Sequence, residues 1–164
     1  MNSELVIDSS SNEVDIALIE DKKLVELNKE KKENNFSVGD IYLGRVKKLM
    51  PSLNAAFVDI GYEKDAFLHY LDLGPQIHSL LKYMKGSKEG SQAESVLNNF
   101  VGEPDINKAG KIGQVLSPQM HVMVQIAKEP ISSKGPRVTA EISFAGRFVV
   151  LVPFSDTVSV SAKI

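Results

Sequence analysis

The stretch Gly39–His69, GDIYLGRVKKLMPSLNAAFVDIGYEKDAFLH, decides the fold, because two short strands in it carry aromatic rings on the face that a core would not use. Alternation along Ala55–Ile60 puts Ala56, Val58 and Ile60 on one side and Phe57 with Asp59 on the other. Asp65–His69 repeats the arrangement, with Ala66 and Leu68 facing one way and Asp65, Phe67 and His69 the other. Two phenylalanines and a histidine therefore share a polar face with basic neighbours such as Arg45, Lys47 and Lys64. Unstacked bases settle on exposed aromatics while nearby cations hold the phosphates, so this pattern predicts a single-stranded nucleic-acid surface. A bulge in either strand would reverse the parity and return the rings to the core.

Outward from this stretch, the chain reads as mainly β. Glu4–Asp8, Glu13–Glu20 and Leu24–Leu27 form a meander of short strands, and the charge-rich Asn28–Asn35, NKEKKENN, reads as a linker with almost nothing apolar to bury. A second unit starts near Ser37 with strands at Ile41–Leu49, Ala55–Ile60 and Asp65–His69. Gly74–Gly113 breaks the strand rhythm. Pro75 at a first helical position precedes Ile77, Leu80, Leu81 and Met84 at helical spacing, and Ser91 with Glu94 has the spacing of a capping box for a second helix reaching Phe100. The plain reading of this segment is a surface insertion. Strands resume at Met120–Lys128 and Arg137–Phe144. Five strands with a helical excursion between the third and fourth is the topology of an oligonucleotide-binding (OB) barrel. A further apolar strand at Arg147–Pro153 lies outside that count and is expected to pair with the amino-terminal meander, which makes the barrel an insertion in a second, incomplete domain.

Composition narrows the function. At 164 residues and 43% hydrophobic content the chain suits one domain with a core, or a small domain inserted in another, and no apolar run reaches membrane-spanning length. The start, MNSELVIDSS, lacks the basic head and apolar segment of a secretory signal, and the expected location is the cytoplasm. Cysteine is absent, which excludes disulfides and thiolate zinc sites. The net charge of −2 is unevenly spread: residues 1–40 hold ten acids and five bases, whereas 41–164 hold fourteen bases and eleven acids. The basic surplus lies with the aromatic strands, where it matters for a polyanion. There is no HExxH and no phosphate-binding glycine loop, and His69, His78 and His121 do not have metal-ligand spacing. Asp59 and Asp65 at strand ends read as turn residues ahead of a catalytic pair, so no catalytic residue and no metal ligand is assigned.

The run quoted above, followed by VMVQIAKEPISSKGPRVTAEISFAGRFVVLVP at Val122–Pro153, resembles the amino-terminal part of the bacterial ribonuclease E/G family. PSLNAAFVDIG, AFLH, VQIAKEP, KG and TAEIS occur in the family's order across nearly the whole chain, and only Tyr83–Gly110 has no counterpart. The resemblance implies an S1-type OB barrel over 37–144, with its insertion at about 74–113, set into an incomplete RNase H-like α/β subdomain formed by 1–36 and 145–164. It also implies that Phe57, Phe67 and Lys128 contact single-stranded RNA, with His69 at the position of the histidine common in S1-type barrels. Ile60 stands where several relatives have an aromatic, a role that Tyr62 would then supply. Lys128 falls by parity on the apolar face of its strand, and Arg45, Lys47, Lys134 and Arg137 are weaker RNA contacts.

The family's chemistry is magnesium-dependent hydrolysis by aspartates of a later subdomain, and its zinc-binding cysteines are also downstream. The resemblance thus implies an RNA-binding, non-catalytic piece of an endoribonuclease for RNA processing and decay. Magnesium, zinc and homo-oligomer formation are expected only in a full-length parent. The competing reading is a self-standing OB-fold adaptor for a protein or saccharide.

Overall fold

The computed structural model describes residues 2–10, 12–31, 36–90, 97, 99–146, 148–156, 158 and 160. Residues 1–35 and 36–164 form two compact units. In the first, β1 (Ser3–Ser9), β2 (Glu13–Glu20) and β3 (Lys23–Lys31) make an antiparallel meander. Asp21 and Lys22 both have positive φ, 46° and 66°, as a two-residue hairpin requires to match the twist of its strands. β3 runs through Asn28–Lys31, which the sequence reading assigned to a linker. Those residues pair with β2, and the ammonium of Lys29 meets its register partner Asp15 at 2.9 Å, so charge here decorates a strand and does not end one.

The second unit is built on β4 (Ile41–Met50), β5 (Ala55–Asp59), β6 (Ala66–His69), β7 (His121–Lys128) and β8 (Arg137–Thr139), closed in the order β4-β5-β6-β8-β7. All pairings are antiparallel except β6 with β8, and β7 closes the barrel on β4, as an OB fold requires. The alternation read from the sequence points the small and branched residues inward: Val46, Ala56, Val58, Ala66, Leu68, Val122, Val124 and Val138 have no solvent exposure. Gly44 faces the same interior, where a Cβ would collide with the Val58 side chain.

Helix α1 (Ile77–Glu89) occupies the excursion between β6 and β7 and stops at Gly90 in the left-handed conformation. It begins two residues after Pro75, whose carbonyl accepts the Ile106 N–H. The second helix expected over Ser91–Phe100 falls largely on 91–96 and 98, outside the described residues. The excursion is not a surface appendage. Leu73, Ile77, Leu80, Ile112 and Leu116 join the buried cluster of the barrel, because their apolar spacing aims one face of α1 and its return segment into that core. Its return is pinned by Asn54, which donates to the Gly110 carbonyl and accepts from the Ile112 N–H, and by the Tyr70 hydroxyl, which donates to the Asn107 carbonyl at 2.6 Å.

The last barrel strand is shorter than Arg137–Phe144. Beyond Thr139 the chain turns, Ala140 and Ile142 stay buried, and the buried Gln125 side chain accepts the Ser143 N–H while donating to the Gly39 and Ser143 carbonyls. Phe144–Ala145 (β9) then pairs with Val150–Leu151 (β10). The strand expected at Arg147–Pro153 is thus reduced to β10, and its partner is the adjacent β9, brought opposite it by a turn in which the Gly146 N–H donates to the Val149 carbonyl. Phe154 packs at a tilt against Tyr83 and Phe100, centroids 5.8 and 5.3 Å away, tying this end of the chain to α1.

Candidate nucleic-acid interface

Because Ala56, Val58, Ala66 and Leu68 fill the interior, β5 and β6 must turn Phe57 and Phe67 outward, and the register makes the two rings direct cross-strand partners. Their centroids lie 5.9 Å apart with planes at 71°, an edge-to-face pair, and both side chains are half-buried. They line a groove of about 690 Å³ together with Lys47, Lys48, Lys64, Lys134 and Arg137. Gly135 lies in its wall, and a Cβ there would strike the Asp65 carbonyl, so only glycine lets the β7–β8 loop close against β6.

The cations of the groove fall into two groups. The Lys47 ammonium is held by Asp65 at 3.0 Å and Asp59 at 3.5 Å, and hydrogen bonding to Asp65 followed by the charge of Asp59 raises its pKa. The Asp59 carboxylate is in turn held below its ordinary range, chiefly by the Gly61 N–H and then by Lys47. Arg137 grips Asp72 through Nε at 3.0 Å and Nη2 at 2.8 Å, and Lys64 donates to the Ser132 carbonyl at 2.9 Å. Lys48 and Lys134 have no ion-pair partner among the described residues, nor has Lys128, which does not line the groove, and the Lys48 ammonium sits 4.9 Å from the centroid of Phe57.

Lys48 was not singled out from the sequence. A bulge between Val46 and Lys48 places Lys48 opposite Phe57, so Lys47 is the extra residue and both lysines reach the outer face. A second bulge, between Ile126 and Lys128, corrects the parity reading of Lys128: with Ile126 opposite the buried Val138 and Lys128 opposite Arg137, the lysine is exposed on the outer face. Neither bulge has a glycine or proline to mark it.

Other predicted positions are less central. His69 follows Phe67 on the outer face of β6, and its Nδ1 accepts the Leu71 N–H at 3.1 Å, which leaves Nε2 as the protonated, donating nitrogen of the neutral ring. Arg45 is exposed on β4 between Asp59 and His121 and does not line the groove. Tyr62 does not line it either; the ring packs edge-on against Phe36 at 4.9 Å, and Phe36 stacks on Tyr42 at 5.2 Å.

No family model matches the chain. Ribonuclease G of Haemophilus influenzae is 35% identical over 161 residues, 98% of this chain and 29% of that protein. Ribonuclease G of Escherichia coli is 34% identical over all 164 residues, 30% of its length, and ribonuclease E of a Synechocystis species is 40% identical over 128 residues, 77% of this chain and 15% of that protein. The chain belongs to the ribonuclease E/G family. It corresponds to an amino-terminal part and spans less than a third of the length of these relatives.

The outward rings and the lysines around them put stackable aromatic faces and positive charge on one surface. Among the described residues no group of three or more His, Asp or Glu side chains is placed to hold a metal ion. Asp59 and Asp65 do converge, but on the Lys47 ammonium, which supplies the positive charge between them. No described helix is long and apolar enough to cross a membrane.

Proposed function

We propose that the barrel binds single-stranded RNA in the Phe57–Phe67 groove and holds it for hydrolysis by parts of a ribonuclease E/G protein outside this chain. The observation that carries the reading is the aromatic pair itself: two adjacent rings kept outward by a filled interior, with Lys48 over one of them. Stacking accepts any unpaired base, whereas a duplex keeps its faces covered, so the groove discriminates by strandedness. Magnesium-dependent cleavage and cysteine-bound zinc belong, on this reading, to the longer protein, since this chain has no cysteine and the groove carboxylates are neutralised by lysine. RNA processing and decay in the cytoplasm is the corresponding cellular role.

The test is fluorescence anisotropy with labelled unpaired and duplex RNA of equal length. Unpaired RNA is expected to bind more tightly, and Phe57→Ala with Phe67→Ala is expected to weaken it by about 1–3 kcal/mol per lost stack. A double variant that keeps its circular dichroism and thermal transition yet binds as before would refute the platform.

A further inference from the structure

A second groove, of about 970 Å³, runs between α1 and the outer face of β4 and β7. Its floor is apolar: Leu43 and its register partner Met123 from the barrel, Leu81 and Met84 from α1, and Met120 from the approach to β7. Its rim carries His78, Lys82, Lys85 and Lys88 of α1 and His121 of β7, with no Asp or Glu among the described residues that line it. Lys82 is engaged by Glu103 at 2.7 Å and by the Val101 carbonyl at 2.9 Å. Lys85 and Lys88, three residues apart on an exposed helix face, have no ion-pair partner among the described residues.

Strand β4 connects this groove to the aromatic one. Leu43 lines the first, Lys47 and Lys48 line the second, and Arg45 stands between them on the outer face, across from His121. Lys48 lies five positions along the strand from Leu43, at most about 16 Å at the usual rise. The carboxylate beside this path, Asp59, is drawn to Lys47.

We propose that single-stranded RNA leaving the Phe57–Phe67 groove continues along the outer face of β4 into the α1 groove. There the leucine and methionine floor receives an unstacked base and Lys85 and Lys88 hold phosphates. The inference rests on the RNA-binding reading of the barrel and extends its footprint. It gives α1, whose buried face serves the core, a ligand on its exposed face. An acidic amphipathic protein segment would suit the same floor and rim; continuity through Arg45 favours the nucleic acid.

The experiment titrates the full chain with unstructured uridine oligonucleotides of about 4 and about 12 nucleotides, both within the range of site sizes seen for OB folds, over a series of salt concentrations. Lys85→Ala with Lys88→Ala keeps helix propensity at exposed positions. On the longer RNA this pair is expected to reduce the magnitude of the log–log salt slope by about 1.4, about 0.7 for each phosphate contact of a single strand, and to leave the shorter RNA unaffected. The methyl resonances of Met84, Met120 and Met123 are expected to shift with the longer RNA only. An unchanged slope, or unmoved methyls, on the longer RNA overturns the extension even where Phe57→Ala with Phe67→Ala abolishes binding of both RNAs. If that aromatic variant binds both normally, the underlying platform fails instead. An acidic amphipathic helical peptide that moves these methyls while the longer RNA does not would overturn the RNA path in favour of a protein partner.

Discussion

Replacing Lys48 by methionine separates the two things this side chain does. Methionine preserves most of the aliphatic stem over Phe57 and deletes only the ammonium that sits 4.9 Å from the ring centroid. Lys48 is exposed, so the lost cation–π attraction falls at the low end of its range, about 0.5 kcal/mol of stability. RNA binding should respond more clearly: one phosphate contact of a single strand corresponds to about 0.7 in the slope of log affinity against log salt. The assay is anisotropy with unpaired RNA at several salt concentrations, with a urea transition on the same preparations. Lys48→Arg should restore the slope, because the guanidinium keeps the charge and stacks on the ring. A Lys48→Met protein with an unaltered urea midpoint and an unaltered slope would refute the reasoning, since the ammonium would then act on neither the ring nor the RNA.

Asp59 makes a pH prediction. Its folded pKa is lowered, so its stabilising effect is present above the unfolded carboxylate pKa, near 4, and disappears as pH falls through the lower folded value. Asp59→Asn retains an acceptor for the Gly61 N–H and cannot titrate, so its urea midpoint should fall less steeply than that of the unmodified protein as pH drops below about 4; parallel curves would contradict the assignment. Tyr70→Phe removes the hydroxyl that donates to the Asn107 carbonyl and should lower stability by roughly 1 kcal/mol while leaving the RNA slope unchanged, as measured by thermal unfolding and anisotropy. A change in slope without a change in stability would mean that the α1 return acts on the aromatic groove directly.

The elements that sequence reading located well are those whose signal is local. Ala55–Asp59 and Ala66–His69 alternate small or branched residues with polar and aromatic ones, and that two-residue period already sends Phe57 and Phe67 to the same side as the acids. The helical spacing of Ile77, Leu80, Leu81 and Met84 likewise announced α1. The misreadings share a different cause. NKEK in β3 looks like linker until β2 is seen opposite it, supplying backbone partners and Asp15 for Lys29. The excursion looks like surface until Ile77, Leu80 and Ile112 are found in the barrel core.

By itself the sequence determined that a five-stranded barrel exists, which residues fill it, and that two rings are left outside, because side-chain alternation and apolar spacing are properties of the chain taken a few residues at a time. Tertiary structure alone decided that Lys48 and Lys128 reach the outer face and that Lys47 is held by carboxylates. Closing a barrel requires twist and stagger, β4 and β7 each carry one extra residue against their partners, and those bulges turn Lys48 and Lys128 to the outer face while Asp59 and Asp65 claim Lys47.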